Sequence, residues 1–539
     1  RAGRPATYLI TYGNNGTLDM PAPLIAITST PPSSHLSVRI LPDGLWKQIG
    51  IDGLTLRCNG PEENPDILPA GSSFTMDLQV STDIAEEFTL SVVPYGGDPL
   101  YSPGTLELVT DIAVPGPGMP LVFERINHAR FSSYSGPLGT GWVHTYDLRM
   151  VSFEDGTLGL KSGDIFDSTF LHQADGSWTN ERGDVRITKN PADGKYTLTS
   201  KDGSTIEFDA QGLPLRLTDQ NANRITLVYS GGKLTEIQHS DGDRLTLAYN
   251  GNNRIVSVSG PAGRVVTYEY SPDSTLLNKV TGIDKRVTQY SYQQNGLAYA
   301  IVSITRPENF VENYQYDGDG RLSGSSINGQ KEDMPIQYDE KTRSTTIRDA
   351  VGSLIAISVN ERGQVVRQEN AIGQISELTY DLGGNLTNIR DPAGNNYKFE
   401  RDSSGQIIAM TNPLNGVTRF THNPQFWSIK TVTDPCGNTL SFNYDSHANV
   451  IGIEYPDSNT ESMSYDSTGN LVTYTSRNGV PLQYTYNPRG QLTGIGYPDG
   501  KSITYAYDLV GNLVEATSSE GTSAMSYNAR NELTRVSYP

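Results

Sequence analysis

The chain has 539 residues, well past the roughly 250 at which single cores stop growing, so two or three units or one long repeat array are expected. No run approaches the ~18 apolar residues of a membrane-spanning helix, and 41 Lys+Arg against 60 Asp+Glu leave a net charge of -19, unsuited to neutralising phosphates. No membrane span and no nucleic-acid partner are therefore expected, while 54 Gly and 30 Tyr with only 19% charged residues favour turn-rich β-structure over disorder.

The first 97 residues alternate in short stretches. Tyr8 to Tyr12 alternates and meets the turn Gly13-Asn14-Asn15-Gly16, Ser73 to Val80 alternates after Leu68-Pro69-Ala70-Gly71, and Phe88 to Val93 follows. Several short strands in about 95 residues predict a small β-sandwich over 1–97. Its pattern is similar to CARDB-like or related Ig-like adhesion modules. The chain starts at Arg1 with no signal-peptide pattern, and this reads as a processed or truncated start. Gly and Pro cluster from Gly96 to Pro120, as in a linker.

A lead-in segment occupies 98–205. Pro120-Leu121-Val122-Phe123-Glu124-Arg125 reads as a strand, Gly136-Pro137-Leu138-Gly139-Thr140-Gly141 as a turn, and Trp142 as its anchor. Hairpins then follow, with turns at Asp155-Gly156, Asp175-Gly176, Asp193-Gly194 and Asp202-Gly203.

From 206 to 539 one pattern recurs: aromatic, Asp or Asn, two loose positions, Gly, polar, aliphatic. Clear copies begin at Tyr316-Asp317 (with Gly320), Tyr380-Asp381 (Gly384), Tyr465-Asp466 (Gly469), Tyr486-Asn487 (Gly490) and Tyr507-Asp508 (Gly511). With weaker copies there are about sixteen, at a step of about 21 residues. A second turn signal, as in Asp391-Pro392-Ala393-Gly394 and Tyr497-Pro498-Asp499-Gly500, lies eleven or twelve residues behind each. Pro pre-sets φ, Gly accepts positive φ, and Asp or Asn closes the turn through its side chain. Between turns the residues alternate, with Tyr484 and Tyr486 on one face and Tyr505 and Tyr507 on another copy of it. Each repeat is thus a hairpin, and the fold class is all-β, a sandwich followed by a coiled antiparallel ribbon of one to two turns. The last copy stops inside a turn at Tyr538-Pro539, which reads as a longer or clipped native polypeptide.

The motif Tyr-Asp-x-x-Gly-Asn-Leu at this step resembles the YD repeats of the RHS family, which includes bacterial RHS polymorphic toxins, the C component of insecticidal toxin complexes and teneurins. The lead-in residues Pro120, Arg125, Gly136, Pro137, Leu138, Gly139, Gly141 and Trp142 resemble the segment that precedes YD repeats in bacterial members. The resemblance implies a hollow β-shell that often encloses a toxin.

Chemistry-bearing motifs are missing. No nucleophile elbow, Walker A loop, HExxH or GxGxxG occurs. The seven histidines are scattered, and His422 replaces a repeat tyrosine, where packing is expected. Asp317-Gly318-Asp319-Gly320 starts like a calcium loop but fails at the glycine and glutamate positions that complete one. The two cysteines, Cys58 and Cys436, are expected as unrelated buried thiols. No enzyme, cofactor or metal site is expected. The tyrosine ladders read as sheet packing, with Tyr484 and Tyr505 as a glycan-stacking ladder the alternative. The expected role is that of a secreted or cell-surface bacterial scaffold, walling a C-terminal effector absent from this chain. The alternative is an extracellular protein that self-assembles or binds glycans.

Overall fold

The computed structural model describes residues 105–539 apart from 129–133, 154–155, 164, 181–182, 296–297, 319, 329–333, 350, 382 and 529–530; before residue 105 it describes only strand backbones. Those strands pair antiparallel and out of sequence order. Ala6–Gly13, Ser73–Thr82, Leu36–Ile40 and Lys47–Gln48 form one sheet, and Leu54–Arg57, Leu24–Thr30 and Thr89–Tyr95 a second. Sandwich packing of these sheets, and Cys58, lie outside the described residues.

No α-helix occurs among the described residues. The dominant feature is a 38-stranded antiparallel sheet in strict chain order, from Leu148–Ser152 to Leu533–Ser537. The ribbon therefore begins ahead of the first Tyr-Asp motif. Residues 148–205 lack that motif, but alternation and Asp-Gly turns suffice to add strands to the same sheet.

Two turn sets alternate along the ribbon, and they share one geometry. In the Tyr-Asp set, the Asp508 carboxylate accepts the backbone N–H of Val510 (3.0 Å) and Asn512 (2.8 Å), and its second oxygen accepts the Asn512 amide (2.9 Å). In the Pro-Gly set, Asp434 does the same for Cys436 and Asn438. This is why Asp opens the turn and Asn closes it. The fourth position takes positive φ, +101° at Gly511 and +89° at Gly437, which glycine adopts without a Cβ clash.

The two sets differ in register. Each Tyr-Asp hairpin tends to carry a bulge beside the tyrosine: Tyr507 pairs with Leu513 and Ala506 with Glu515, leaving Val514 unopposed. The same shift recurs at Tyr380, Tyr444 and Tyr465, whereas Thr433 pairs with Thr439 across a Pro-Gly turn without one. A bulge on one side of repeat after repeat bends and twists the strands in one sense, and the ribbon coils. Its coils meet turn to turn. Asn449 donates to Asn221 Oδ1 (2.8 Å), Asn223 to the Thr468 carbonyl (2.9 Å), and Arg489 to Asp243 Oδ1 (3.1 Å), across 228, 245 and 246 residues. One coil thus takes about eleven repeats, and the ribbon completes between one and two, as expected.

The lead-in segment explains particular glycines of the later turns. A Cβ on Gly490 would lie 3.1 Å from Pro117 Cα, and one on Gly511 2.8 Å from Pro115 Cγ. Gly511→Val therefore combines left-handed strain, about 1–3 kcal/mol, with a clash. Gly437 has positive φ but nothing within 4 Å. Thermal unfolding should show Gly511→Val losing clearly more than Gly437→Val; equal losses would refute the contact between Gly511 and Pro115.

Candidate functional site

The lead-in segment covers one face of the first coil. Thr105–Val114 and Leu121–His128 form a hairpin, joined on its second strand by Trp142–His144. Ile112, Val114, Leu121, Phe123, Leu138 and Trp142 pack in one core with first-coil residues such as Ile237, Val258, Val266 and Ile304. Roughly 1.5–3 kcal/mol accrues per fully buried side chain of this size, so this interface fixes the hairpin to the ribbon.

A charged network runs through that core. Arg125 is 2% exposed; its Nε donates to both Asp111 oxygens (3.1 and 3.0 Å) and its Nη1 to the Tyr290 hydroxyl (2.7 Å). Tyr268 donates to Asp111 Oδ2 (2.7 Å), Tyr290 to Glu107 Oε2 (3.2 Å), and Arg306 bridges Glu107 (2.5 Å) and Glu312 (2.7 Å). Burial pushes the Asp111 carboxyl up, against the opposing pull of Arg125. Arg125 also lies 5.0 Å over the Trp142 ring, whose Nε1 donates to the Tyr292 hydroxyl (2.9 Å). The lead-in loop then meets two Tyr-Asp turns of the first coil. The Pro137 carbonyl accepts the Ile255 N–H (2.9 Å), and Thr140 donates to the Thr275 carbonyl (2.8 Å). Arg254 caps Gly136 O and Ser135 Oγ. Gly139 (φ +89°) and Gly141 (φ +82°) are both buried and left-handed, while Pro120 is exposed.

Two titratable groups sit in this plug. Burial holds the His144 imidazole down at about 3, with Nδ1 accepting the Tyr146 N–H (3.2 Å). Burial pushes the Asp147 carboxyl up to about 6, against the Tyr134 hydroxyl it accepts (2.9 Å). Their linkage signs oppose. His144 contributes stability above pH 6.5 that is lost as pH falls towards 3; Asp147 contributes stability below pH 3.8 that is lost as pH rises through 6. Between pH 6.5 and 4 the two oppose and nearly offset, so this pair should leave the melting temperature almost level there. His144→Gln, which keeps an acceptor, should leave Asp147 acting alone and make the melting temperature rise as pH falls from 6 to 4; a pH profile like that of the parent would show that His144 does not titrate as a buried group.

The motif tyrosines have a specific task. The hydroxyls of Tyr316, Tyr380, Tyr465 and Tyr507 donate to the carbonyls of Ile301, Val365, Val450 and Leu492 (2.7–2.9 Å), each 15 residues earlier. The acceptor is the aliphatic residue that ends the preceding motif, so each repeat is stitched to the one before. Arg401, in the tyrosine position, reaches the Leu386 carbonyl through Nε (3.4 Å). Tyr486 is half-buried on the same face. Tyr484 pairs with Ile495 and Ile495 with Ile503, which places Tyr484 and Tyr505 on one face, both half-buried.

That face changes character along the chain. In the first coil it is covered by the lead-in hairpin, and Val266 and Tyr268 are 0% and 2% exposed. In the second, Leu378, Phe399, Phe442, Tyr484 and Tyr505 hold equivalent positions, yet beyond Ala409 no apolar side chain among the described residues is buried. The opposite face carries Ser, Thr, Gln and Glu, for example Ser502 and Thr504.

The expectation of buried thiols is corrected at Cys436, which is free and exposed because it occupies a turn tip. Asp317 is engaged by Arg321 (2.9 Å), and Asp319 lies outside the described residues. Among the described residues no cluster of three or more His, Cys, Asp or Glu could hold a metal. Sequence reasoning missed Glu107, Asp111, Tyr268, Tyr290, Arg254 and Arg306. Two acids inside the otherwise apolar strand Thr105–Val114 were the available signal.

The Teneurin YD-shell family model matches residues 324–537, and a domain of unknown function, DUF6531, matches 105–179, the lead-in segment and first ribbon strands. The chain is an RHS/YD-repeat protein. It is similar to the probable deoxyribonuclease RhsB of Dickeya dadantii, with 24% identity over 314 residues, 54% of this chain and 20% of that protein. The double-stranded DNA deaminase toxin A of Burkholderia cenocepacia is 25% identical over 275 residues, 46% of this chain and 18% of that one. The tRNA nuclease WapA of Bacillus subtilis is 26% identical over 260 residues, 48% and 11%. The RHS/YD chain thus spans a fifth or less of the curated relatives named here. The crystal structure of TcdB2-TccC3 without its hypervariable C-terminal region aligns with 80% of this chain and 29% of that one, at 12% identity and TM-score 0.48. This RHS/YD chain is a shell-type scaffold built of β-hairpins.

Proposed function

We propose that this RHS/YD segment is a non-enzymatic wall, covered on one face of its first coil by the lead-in plug, and that the open face of its second coil holds a C-terminal effector segment of the same natural polypeptide. The observation that carries this reading is the uncovered apolar face. Positions buried under the lead-in hairpin in the first coil recur in the second as a wall of half-buried Leu, Phe and Tyr with nothing over it among the described residues. Contiguous apolar surface on this scale calls for a partner. The reading is supported by relatives whose names describe nucleases and a deaminase toxin, and which this chain matches over only a small part of their length. A wall that segregates a toxic cargo needs no catalytic residue of its own. Such a protein belongs outside the producing bacterial cell or on its surface.

Limited proteolysis of the natural polypeptide tests this. The segment following the repeats should survive protease while the wall is intact and be degraded once Arg125→Met loosens the plug. Degradation at the same rate in both forms would refute enclosure. Adhesion through glycans is favoured by no observation on Tyr484 or Tyr505.

A further inference from the structure

The tip of the lead-in hairpin, residues 115–119, lies where the two coils meet. On the first coil, Arg264 Nη1 donates to the Ala113 carbonyl just before the tip (2.8 Å). The Gly116 backbone packs against the His239 ring, and a Cβ there would come within 3.0–3.2 Å of three ring atoms. A Cβ on Gly118 (φ +68°) would run into Asp219 Oδ2 and Asn223 Nδ2. On the second coil, Pro115 and Pro117 stand against Gly511 and Gly490. The same residues make the seam. Asn223 donates to the Thr468 carbonyl (2.9 Å), and Arg489, next to Gly490, reaches Asp243 with Nη2 and Nε (3.1 and 2.7 Å).

This junction carries a standing cost. Of the seven buried side-chain polar atoms without a hydrogen bond among the described residues, four are here: His239 Nε2, Asp241 Oδ2, Asp243 Oδ2 and Arg264 Nη2. Asp243 Oδ2 is compensated by its ion pair with Arg489. The other three are not, and their side chains are deeply buried, His239 with 1% of its side chain exposed and Asp241 with 5%. Asp434, in a turn away from the tip, uses both of its oxygens. Native interiors leave few such atoms, because each gives up its hydration without return. Gly116 covers the His239 ring, so lifting the tip brings water back to this group. A contact built for strength alone would place apolar or fully paired groups under the tip. A contact built to let go keeps a penalty that opening relieves.

We propose that residues 115–119 form a releasable latch across the seam. Seated, the tip holds the two coils together; withdrawn, it lets the wall part between turns 219–243 of the first coil and turns 468–511 of the second. The coupling has a physical path. Withdrawal takes Pro117 away from Gly490, whose neighbour Arg489 grips Asp243, and takes Gly118 away from Asn223, which holds Thr468. Parting breaks turn contacts and no ladder, because every strand of the ribbon pairs with its neighbours in the chain. The lead-in hairpin thereby controls a lateral opening in the wall. The inference concerns the wall alone and is independent of whether an effector is enclosed.

Hydrogen exchange of the 539-residue chain, located by peptide mass spectrometry, tests the latch, since local opening sets the exchange rate of such turns. The seam turns at 219–223, 239–243, 487–491 and 508–512 are read against the turn at 391–395, outside the seam. Gly116→Leu, which pushes the tip off the His239 ring, should speed exchange at least tenfold in the turns of both coils and leave the reference turn unchanged. A second variant carries Pro117→Cys and Gly490→Cys together, positions close enough for a disulfide. Oxidised, it should slow exchange at least tenfold in the turns of both coils, and reduction should reverse this. Faster exchange confined to the lead-in hairpin of Gly116→Leu, with the seam turns as in the parent, overturns the proposal. So does an oxidised pair whose seam turns exchange as fast as the reduced pair, which would show a seam that never opens there. Should Gly116→Leu speed the reference turn as well, the cysteine pair alone decides.

Discussion

Arg125→Met should lower stability by about 3–5 kcal/mol, the range for a buried ion pair that loses one partner. The methionine retains most of the stem volume against Trp142, so the loss isolates the charge. Asp111 would keep the Tyr268 hydroxyl but stand in the core without its cation, and Tyr290 would lose its donor. Adding Asp111→Leu should return much of the loss, since a well-packed apolar pair can match a buried ion pair. Hydrogen exchange should speed up across Thr105–Val114 in the single variant and slow again in the double. A single variant within about 0.5 kcal/mol of the parent would show that the network does not hold the plug.

Trp142→Ala is the second large effect, about 3–5 kcal/mol for truncating a buried Trp. Trp142 is 0% exposed, meets Tyr290 edge-on at 5.0 Å, carries Arg125 on its face and donates to Tyr292. It therefore joins the lead-in hairpin to strands roughly 150 residues away. Trp142→Phe should recover the packing and leave a deficit of about 1 kcal/mol for the missing N–H donor. If Trp142→Ala melts like the parent in the thermal scan, the lead-in segment is not part of the same cooperative unit.

Both predictions concern features only half legible in the sequence. Turn chemistry was fully legible: Asp508, Gly511 and Asn512 each do locally what their residue type dictates. The tyrosines were legible as strand residues, but their hydroxyl bonds to carbonyls 15 residues earlier were not. An acceptor on the backbone leaves no side-chain signature. The coil pitch was hidden for a related reason, because turns such as those of Asn221 and Asn449 meet across 228 residues and look like any other Asx turn. The plug showed its Gly-Pro loop, Arg125 and Trp142. Its buried acids Glu107 and Asp111 lie in the stretch from Gly96 to Pro120 that reads as a linker because Gly and Pro cluster there, whereas the structure makes Thr105–Val114 a strand paired with Leu121–His128 and buries both acids. Cys436 was read as a small apolar residue belonging inside, whereas its place at a turn tip puts it outside.

The uncovered face of the second coil tests the account most directly. Electron cryomicroscopy of the natural polypeptide should show protein density against Leu378, Phe399, Phe442 and Tyr484, continuous with the chain that follows the repeats. A second coil whose Leu, Phe and Tyr wall faces bulk solvent in the natural polypeptide would contradict it.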